Sequence, residues 1–531
     1  MKNIKTYILA LGIGCTAASC TGDFLDTEPI TELTDENFYR TTNDAYRALV
    51  GCYEGLHQIW AGGVSFPVAS EVLSDNAFGG TGSADGFGYQ MLDEFDRNRS
   101  TADQNLFQDN WSAYYSAIFR INSFLQRMDQ IDWEDDDALR LRYESEIRFL
   151  RAFLYFDMVR LWGNIPLLTE PSPENIPQAE PEEVYRVIAE DLQFAAENLE
   201  AIPGTSQPSS EFGRVTKWAA NALIGRVYLY YTGYYQQPDL AGVITGQQAL
   251  AYMEDVIQSG GYGLVEEFSQ LWPAASLEDY AGELNEEVIF SIRYTYTSDY
   301  DGNTDGNHWM VMLGIREQSF FPYGRGWGGA TVNPRLYNAF NENDARREAS
   351  IIAIEEEGLP FTNFSRQREY TGYYTKKYSP MINEDGVELP VDLGAPNHMI
   401  GQFQDYFVIR YADVLLMAAE LGSPNAQTYF DDVRRRAYGE NFSSLAITPN
   451  RLLEERRLEF ALEGIRYWDL LRQGVDFAAN VIGESSTVLN AGSPVSKVIN
   501  PSNIITTEGL QQIPNNQIIL SDNVLVQNPG W

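Results

Sequence analysis

The sequence predicts an all-α protein, a tetratricopeptide-like helical-repeat scaffold with long irregular loop insertions. Apolar residues between positions 147 and 161 recur at steps of three and four, the period of a helix buried along one face. Residues 216–231 and 249–256 form a second pattern, a helix pair rich in small residues, although no full 34-residue repeat consensus is visible. Residues 266–402 lack this periodicity and are rich in Gly, Asn, Asp, Pro and aromatic residues, which indicates a long insertion.

The helix predicted around residues 148–162 is the centre of this scaffold. Phenylalanines widen its apolar stripe, so we expect neighbouring helices to surround it. Gly163 ends the helix, and Pro166 prevents it from resuming. Charged residues close to a core need partners, and this applies to Arg148, Arg151, Asp157 and Arg160.

Composition excludes one class of partner. The 531 residues carry a formal net charge of −38, whereas binding to a phosphate backbone needs clustered Lys and Arg. We therefore expect no nucleic-acid partner. Strongly anionic glycans are disfavoured less firmly, because a local basic pocket can still hold an anion within a Debye length of about 8 Å.

The N-terminus has the pattern of a lipoprotein signal peptide over residues 1–19. Lys2 and Lys5 precede a short apolar run, and small residues then lead to Cys20. We predict that Cys20 is lipidated and that residues 20–36 form a tether; the alternative is an ordinary signal peptide cleaved nearby. The apolar run is too short to span a bilayer. Cys52 would then be the one remaining thiol, and we expect it to be packed in the core.

Further helical patterns divide the chain into successive parts of one domain, 20–531. Helices are predicted at 43–56, 105–128, 182–199, 406–420, 426–437 and 453–474. Four prolines in residues 171–181 indicate a surface linker. The predicted parts are an N-terminal helical part (37–265), an irregular ligand-binding insertion (266–403), a C-terminal helical part (404–475) and a closing segment (476–531).

Several motifs resemble the SusD/RagB family of outer-membrane nutrient-binding lipoproteins. The central helix reads R-F-L-R-A-F-L-Y-F-D-M-V-R-L-W-G-N-I-P, residues 411–416 read Y-A-D-V-L-L, and residues 455–459 read E-R-R-L-E. The C-terminus closes with I-P and Q-N-P-G, as the family does. One departure is Asp432, where the family usually has Asn, and another is a short turn before that helix. The resemblance covers most of the chain.

The resemblance implies a location and a role. Such proteins are lipid-anchored at the outer membrane, face outward, bind oligosaccharide and cap a SusC-like TonB-dependent barrel transporter. They are binding proteins rather than enzymes, and no cofactor is implied. Three alternatives stay open: capture of peptides, as in the RagB branch; a surface glycoside hydrolase; and a purely structural helical-repeat scaffold.

Patterns of catalytic residues are sparse. The chain has three histidines and no P-loop, H-E-x-x-H or G-x-S-x-G motif. Residues 324–329 match G-x-G-x-x-G, but no predicted strand precedes them and no helix follows, which disfavours dinucleotide binding. A hydrolytic carboxylate pair needs a defined separation in space, which a sequence does not show. Glu455, Arg456, Arg457 and Glu459 are expected to be structural ion pairs.

A weak calcium motif lies in the insertion. Asp301, Asn303 and Asp305 match the first half of a calcium-binding loop, but Met312 stands where such loops need a bidentate Glu. An Asx-rich turn is the favoured interpretation.

Aromatic and polar residues in two loop regions are the candidate glycan site. Aromatic rings cover the apolar faces of sugars, and polar side chains bind the hydroxyl groups. The family resemblance places the site on these same regions. The candidates are Asp75, Asn76, Phe78, Asp85, Phe87, Tyr89, His308, Trp309, Tyr323, Arg325 and Trp327. The alternative is that individual aromatics simply pack the loops onto the helical core.

Overall fold

The computed structural model describes residues 38–60, 64–299 and 304–531. The predicted signal peptide, the tether and Cys20 therefore lie outside the described residues, as do Asp301 and Asn303. Within the described ranges, no helix combines the length and the apolar character needed to cross a bilayer.

Helices dominate the described chain. In the first half they are α1 (Thr42–Trp60), α2 (Phe66–Val72), α3 (Gly88–Glu94), α4 (Gln108–Arg127), α5 (Asp137–Trp162), α6 (Pro181–Asn198), α7 (Lys217–Tyr234) and α8 (Gly246–Ser259). Short helices follow in the insertion: α9 (Trp309–Leu313), α10 (Pro334–Tyr337), α11 (Arg346–Ser350) and α12 (Leu389–Asp392). The last are α13 (Tyr411–Glu420), α14 (Ala426–Tyr438), α15 (Pro449–Glu459), α16 (Arg466–Leu471), α17 (Val475–Ile482), α18 (Pro501–Thr506) and α19 (Asn515–Leu520).

The prediction of a mainly helical chain is confirmed, and short strands, which it did not include, accompany the helices. The strands are β1 (Ala77–Gly80), β2 (Val288–Ile292), β3 (Ile315–Arg316), β4 (Arg325–Gly326), β5 (Gly329–Val332), β6 (Ile351–Ala353), β7 (Tyr373–Thr375), β8 (Tyr406–Arg410), β9 (Glu484–Asn490) and β10 (Ser493–Ile499). They pair as β1–β5, β2–β8, β3–β4, β6–β7 and β9–β10; the β3–β4 pair is parallel and the others are antiparallel.

The central helix α5 has the buried surroundings that its sequence predicts. The side chain of Asp136 accepts a hydrogen bond from the Leu139 N–H, which caps the first turn. Every residue from Phe149 to Trp162 is buried. The helix ends at Gly163, whose φ is +67° and whose missing Cβ leaves room for Leu510, 2.7 Å from the Cβ position. The C-terminal segment thus packs directly over the end of α5.

The charges of α5 have the partners that their burial requires. Arg151 donates to both carboxylate oxygens of Asp191 at 2.7 and 2.9 Å, which joins α5 to α6. Arg160 donates to Asp157 at 2.7 Å, and its guanidinium lies 3.9 Å from the centre of the Phe156 ring. The expectation of paired charges is confirmed, because Arg148, Arg151, Asp157 and Arg160 each have a partner of opposite charge.

Successive helices pack against one another around α5. Helix α6 lies against α5, α7 against α6, α8 against α7, and α13 against both α8 and α14. One continuous apolar core runs from Ala45 in α1 to Leu525 near the C-terminus. Cys52 is buried in this core, as predicted. Two small satellite cores lie outside this main core: one is formed by the insertion, and the other joins the insertion to Leu458, Ala461 and Leu462.

Two predicted helices differ from the structure. Residues 406–420 do not form one helix, because Tyr406–Arg410 pairs as a strand with Val288–Ile292 before α13 begins. Residues 453–474 break into α15 and α16, since Leu462 and Gly464 take positive φ values of 65° and 72°. The Gly464 N–H donates to the Glu71 carboxylate at 2.5 Å, so a contact with α2 replaces a helical hydrogen bond.

The insertion at 266–403 is held to the helices by a buried ion network. Arg346 of α11 donates to Asp344, Glu455 and Glu459, and its side chain is fully buried. Glu459 also accepts from Arg410 of β8 and Arg436 of α14. The prediction of structural ion pairs on α15 is confirmed. The same region proves more regular than predicted, since β2–β7 and α9–α12 all lie within it.

A second buried network surrounds Asp413 of α13. Its carboxylate accepts from Arg456 at 2.6 Å and from Arg226 of α7. Burial alone would raise the pKa of Asp413, but the two guanidinium groups outweigh burial and lower the pKa to about 2. Arg456 also donates to Asp469 of α16 at 2.8 Å, so this network ties four helices together.

We predict that Asp413 contributes stability that acid removes. Because the folded pKa is depressed, its contribution is complete above the unfolded value of about 3.9 and disappears as the pH falls toward 2. Asp413→Asn leaves the two arginines short of a buried counter-charge and should cost about 3–5 kcal/mol at pH 7. Urea denaturation at several pH values measures both effects.

Asp129→Asn is the matched control, because Asp129 forms an exposed ion pair with Arg140. It should cost less than about 1 kcal/mol. The account of the network is wrong if the two variants are equally stable at pH 7, or if Asp413→Asn loses stability between pH 4 and pH 2 as steeply as the unmodified chain.

Candidate functional site

A strand pair brings the two candidate loop regions together. Ala77–Gly80 pairs with Gly329–Val332, with Phe78 opposite Thr331 and Gly80 opposite Gly329. The Thr81 N–H continues the ladder by donating to the Gly328 carbonyl at 2.7 Å. Segments about 250 positions apart in sequence therefore share one surface. The expected proximity of the two regions follows from this pairing.

A third segment fixes the first glycine-rich loop. Arg368 donates to the backbone carbonyls of Gly86 and Asp85 at 2.5 and 2.7 Å, and its guanidinium lies 4.0 Å from the centre of the Phe87 ring. The Gln367 side-chain amide donates to the carbonyls of Thr81 and Gly328 at 3.1 and 2.9 Å. These contacts hold residues 81–87 in one conformation, so the loop is preorganised.

Trp327 projects from the second glycine-rich stretch, and its side chain is 38% exposed. The backbone N–H of Trp327 donates to the Val311 carbonyl at 2.7 Å, and the backbone carbonyl of Trp327 accepts from Arg316 at 3.0 Å. Gly326 passes so close to α9 that a Cβ would lie 2.4 Å from the Val311 oxygen. Glycine at this position allows the backbone of Trp327 to be anchored while its ring reaches solvent.

His308 packs against the Trp327 ring, and Arg325 and His398 lie near the same stretch of chain. The His308 ring lies edge-on at 5.4 Å, and its Nδ1 forms a hydrogen bond with the Met399 carbonyl. Arg325 precedes Trp327 by two positions in extended backbone, and its side chain is 52% exposed. Burial and then the nearby charge of Arg325 lower the pKa of His398, which places a neutral imidazole beside the same surface at pH 7.

Arg316 connects Trp327 with the first loop. Its Nη1 lies 4.0 Å from the Oδ2 of Asp85, and the same carboxylate oxygen accepts from the Gly82 N–H at 2.7 Å. Asp85 is exposed and Gly82 is packed so tightly that a Cβ would lie 2.3 Å from Arg316. We call this group the Trp327 surface; it comprises Asp85, His308, Arg316, Arg325, Trp327 and His398.

Phe87 is also exposed, at 38%, but its ring is already engaged. The guanidinium of Arg99 lies 4.7 Å from the ring centre, in addition to that of Arg368. The two guanidinium groups interact with the surface of the Phe87 ring that a sugar would otherwise cover. Phe87 therefore lies at the border of the Trp327 surface, with two guanidinium groups already in contact with its ring.

Three candidates from the first region belong to the interior. Asp75 forms buried ion pairs with Arg457 and Arg466 at 2.9 and 2.8 Å, and Asn76 accepts from Arg457. Burial alone would raise the pKa of Asp75, but the two arginines outweigh it and hold the pKa below its usual value. Phe78 is 1% exposed. Because these three residues are buried, the prediction that they contact a ligand is corrected; their contacts hold the loop in place.

Two further aromatic candidates, Trp309 and Tyr323, are corrected because they are buried, and Tyr89 is half-buried with its ring packed against the core. Trp309 is 1% exposed, with the rings of Tyr378 and Tyr406 at 5.1 and 5.5 Å. The Tyr323 hydroxyl donates to Glu357 at 2.7 Å, and Tyr89 donates to the Met312 sulfur at 3.4 Å. Burial raises the pKa of both tyrosines. For these residues the alternative, packing of loops onto the core, describes the structure.

Sequence reasoning missed the residues that organise this surface. Arg316, Gln367, Arg368, Glu388 and His398 come from segments with no periodic signal. Glu388 lies 3.4 Å from the Nε of Arg325, and burial raises the pKa of this carboxyl group. The strand pairing and the long-range hydrogen bonds that bring these segments together are not visible in the sequence.

The arrangement is suited to binding a ligand that has both apolar faces and hydroxyl groups. Trp327 offers an open aromatic face, and Arg325, His308, His398 and Asp85 supply donors and acceptors near it. The carboxylates of this region, Asp85, Glu317 and Glu388, each lie near an arginine.

Comparisons with known proteins find two family profiles and several relatives that match this chain. A family profile described as "SusD family" matches residues 356–531. A second, described as "Starch-binding associating with outer membrane", matches residues 23–229. SusD-like protein P38 of Formosa agariphila is 26% identical over 513 residues, covering 89% of this chain and 91% of that protein. Starch-binding protein SusD of Bacteroides thetaiotaomicron is 31% identical over 253 residues, 46% and 41% of the two chains.

Solved structures extend the similarity to the fold. A laminarin binding SusD-like protein has 29% identity and a TM-score of 0.72, covering 93% of this chain and 100% of that one. Surface glycan-binding protein A from Bacteroides fluxus has 25% identity and a TM-score of 0.74, covering 91% and 99%. The overall architecture is therefore shared over nearly the whole chain.

The two tryptophans provide a test of which ring is core and which is surface. We predict that Trp309→Ala lowers the free energy of unfolding by about 3–5 kcal/mol, because it opens a cavity among packed rings. Trp327→Ala should change it by less than about 1 kcal/mol, since the ring is partly in solvent. Urea denaturation followed by circular dichroism measures both. A reversed order of the two costs would contradict the assignment.

Proposed function

Since the chain belongs to the SusD/RagB family, we propose that it captures oligosaccharide at the cell surface and delivers it to a SusC-like TonB-dependent transporter. The family membership rests on the two profile matches and on relatives that align over most of the chain. Relatives of this kind are named as binding proteins. The protein would act by binding and release, without turning its ligand over.

The exposed face of Trp327 is the observation that carries the proposal. An aromatic face of this kind covers the apolar face of a sugar ring, and each such platform contributes about 1 kcal/mol. Arg325 and His308 are placed beside the ring to meet hydroxyl groups. Together with a few hydrogen bonds, this supports dissociation constants of about micromolar to millimolar. Weak binding suits a protein that must release its cargo to a partner.

A neutral glucan is the ligand class we propose. The laminarin binding relative is among the similar structures, and SusD itself is named for starch binding. The net charge of −38 disfavours polyanionic glycans, while the arginines near Trp327 are balanced by Asp85, Glu317 and Glu388. A β-glucan such as laminarihexaose is therefore the first ligand to test, with a maltooligosaccharide as the second.

We also propose the anchoring and organisation that the sequence predicts. Cys20 would carry the lipid, residues 20–36 would form the tether, and the body would face outward from the outer membrane. The helix pairs α5–α6, α7–α8 and α13–α14 would be the tetratricopeptide-like repeats of the scaffold. The parts 37–265, 266–403, 404–475 and 476–531 would together form one domain, consistent with the continuous core.

Peptide capture is the second candidate function. Aromatic rings and arginines also bind extended peptides, and the RagB branch of the family is associated with this activity. The Trp327 surface favours sugars because it offers one broad ring flanked by side-chain donors rather than an exposed strand edge.

Parallel titrations with glycans and with mixed peptides separate these functions, and a reducing-sugar assay on the same samples tests for hydrolysis.

We predict that Trp327→Ala weakens oligosaccharide binding about five- to tenfold, the loss expected from one aromatic platform. Isothermal titration calorimetry with laminarihexaose and maltohexaose measures the dissociation constants. Phe119→Ala is the matched control, because Phe119 is an exposed aromatic residue on α4, outside the Trp327 surface. Unchanged binding in Trp327→Ala, or an equal loss in Phe119→Ala, would refute the site.

A further inference from the structure

A second group of ligand-type side chains lies outside the Trp327 surface. Glu54 and His57 are one turn apart on α1, and Asp305 approaches them from the insertion. The Nδ1 of His57 is 3.3 Å from the Glu54 Oε2 and 3.6 Å from the Asp305 Oδ1. One ligand atom from each of the three residues lies within 4.8 Å of the others. We call this group the His57 cluster.

Hydrogen bonding fixes the tautomer of His57. Its Nε2 is 2.7 Å from the backbone carbonyl of Arg293, and a carbonyl oxygen only accepts, so Nε2 carries a hydrogen. In a neutral imidazole this leaves a lone pair on Nδ1, aimed at two carboxylates. Three electron-rich atoms facing one another repel, and a cation between them removes the repulsion. Either a proton or a metal ion meets this requirement.

The surroundings resemble the outer shell of a metal site. A metal-binding histidine usually donates its other N–H to a carbonyl or carboxylate, as His57 does to Arg293. The Tyr294 ring stacks on the imidazole at 5.3 Å and holds its plane. Thr304 donates to the Oε1 of Glu54 at 3.0 Å, which leaves Oε2 directed at His57. The ligand atoms are thus oriented by groups that do not themselves bind the ion.

The two arginines beside the cluster have carboxylate partners of their own. The Arg293 guanidinium is paired with Asp405 at 3.0 Å, and Arg214 is paired with Glu146 and Glu211. The cluster borders a pocket of about 300 Å³ that also reaches Tyr46 and Phe212. This pocket gives solvent access, so a water molecule can fill a remaining coordination position.

We propose that Glu54, His57 and Asp305 bind a divalent transition-metal ion of the zinc class. One imidazole nitrogen and two carboxylate oxygens suit such an ion, with water as the fourth ligand. Calcium is disfavoured, since it takes six to eight oxygen ligands and no imidazole. The ion would join α1 to the segment that leads into His308, so it would brace one side of the Trp327 surface. This site does not depend on the proposed glycan function.

The test uses the purified chain without an affinity tag, stripped with a chelator and dialysed against micromolar zinc. Elemental analysis should find one zinc per chain, and the bound fraction should fall at least tenfold in His57→Gln. His398→Gln is the matched control, because it removes a half-buried histidine outside the cluster and should keep the metal. Cobalt in place of zinc should give visible absorption bands typical of a four-coordinate site, and the bands should be lost in His57→Gln.

Asp305→Asn provides a second variant if His57→Gln fails to fold, since it removes a ligand at the margin of the core. It should weaken zinc binding while its circular dichroism spectrum stays that of the unmodified chain. Zinc at background level in the unmodified chain would overturn the proposal and leave a proton in the cluster. Full binding by both cluster variants, or loss of zinc in His398→Gln alone, would overturn it equally.

Discussion

The buried carboxylate of Glu459 is the interaction on which the rest of the structure depends. It meets Arg346 from the insertion, Arg410 from a strand and Arg436 from α14, all inside the protein. Burial of such charges is costly unless each finds a partner in a defined geometry, so the network accepts few alternative arrangements. An insertion of more than 130 residues is thereby held in one position on the helical body.

The candidate site is a consequence of that position. Once the insertion is docked, β5 reaches β1, and the ladder between them brings Gly328 to the carbonyl and amide groups of the first loop. Glycines permit the close approach, and Arg368 and Gln367 then fix both loops. The Trp327 ring is left at the surface because its backbone, rather than its side chain, makes the anchoring contacts.

The helical body was largely predictable from the sequence, because its signals are local. The spacing of apolar residues predicted α5, and the charges on α5 and α15 were correctly expected to be paired. The strand at Tyr406–Arg410 was missed, since an apolar run of this length suits a helix or a strand equally until its partner is known. The break at Gly464 was missed because a contact with Glu71, distant in sequence, causes it.

The candidate site was predictable only in outline. Two glycine-rich regions with aromatic residues pointed to the right segments, and Trp327, Arg325, His308 and Asp85 lie together. Composition does not show which ring faces outward, however, so Trp309 and Trp327 looked alike in sequence although one is 1% and the other 38% exposed. The residues that hold the loops act through contacts between distant parts of the chain, and such contacts leave no periodic pattern in the sequence.

The central claim is that Trp327 holds a sugar ring on a preorganised surface. A crystal structure of the chain with laminarihexaose, or with whichever oligosaccharide binds in solution, tests it most directly. The account predicts a sugar ring stacked on the exposed face of Trp327, hydroxyl groups within hydrogen-bond distance of Arg325 or His308, and loops 81–87 and 324–329 unmoved. Oligosaccharide bound on another face of the molecule, with Trp327 bare, would contradict it.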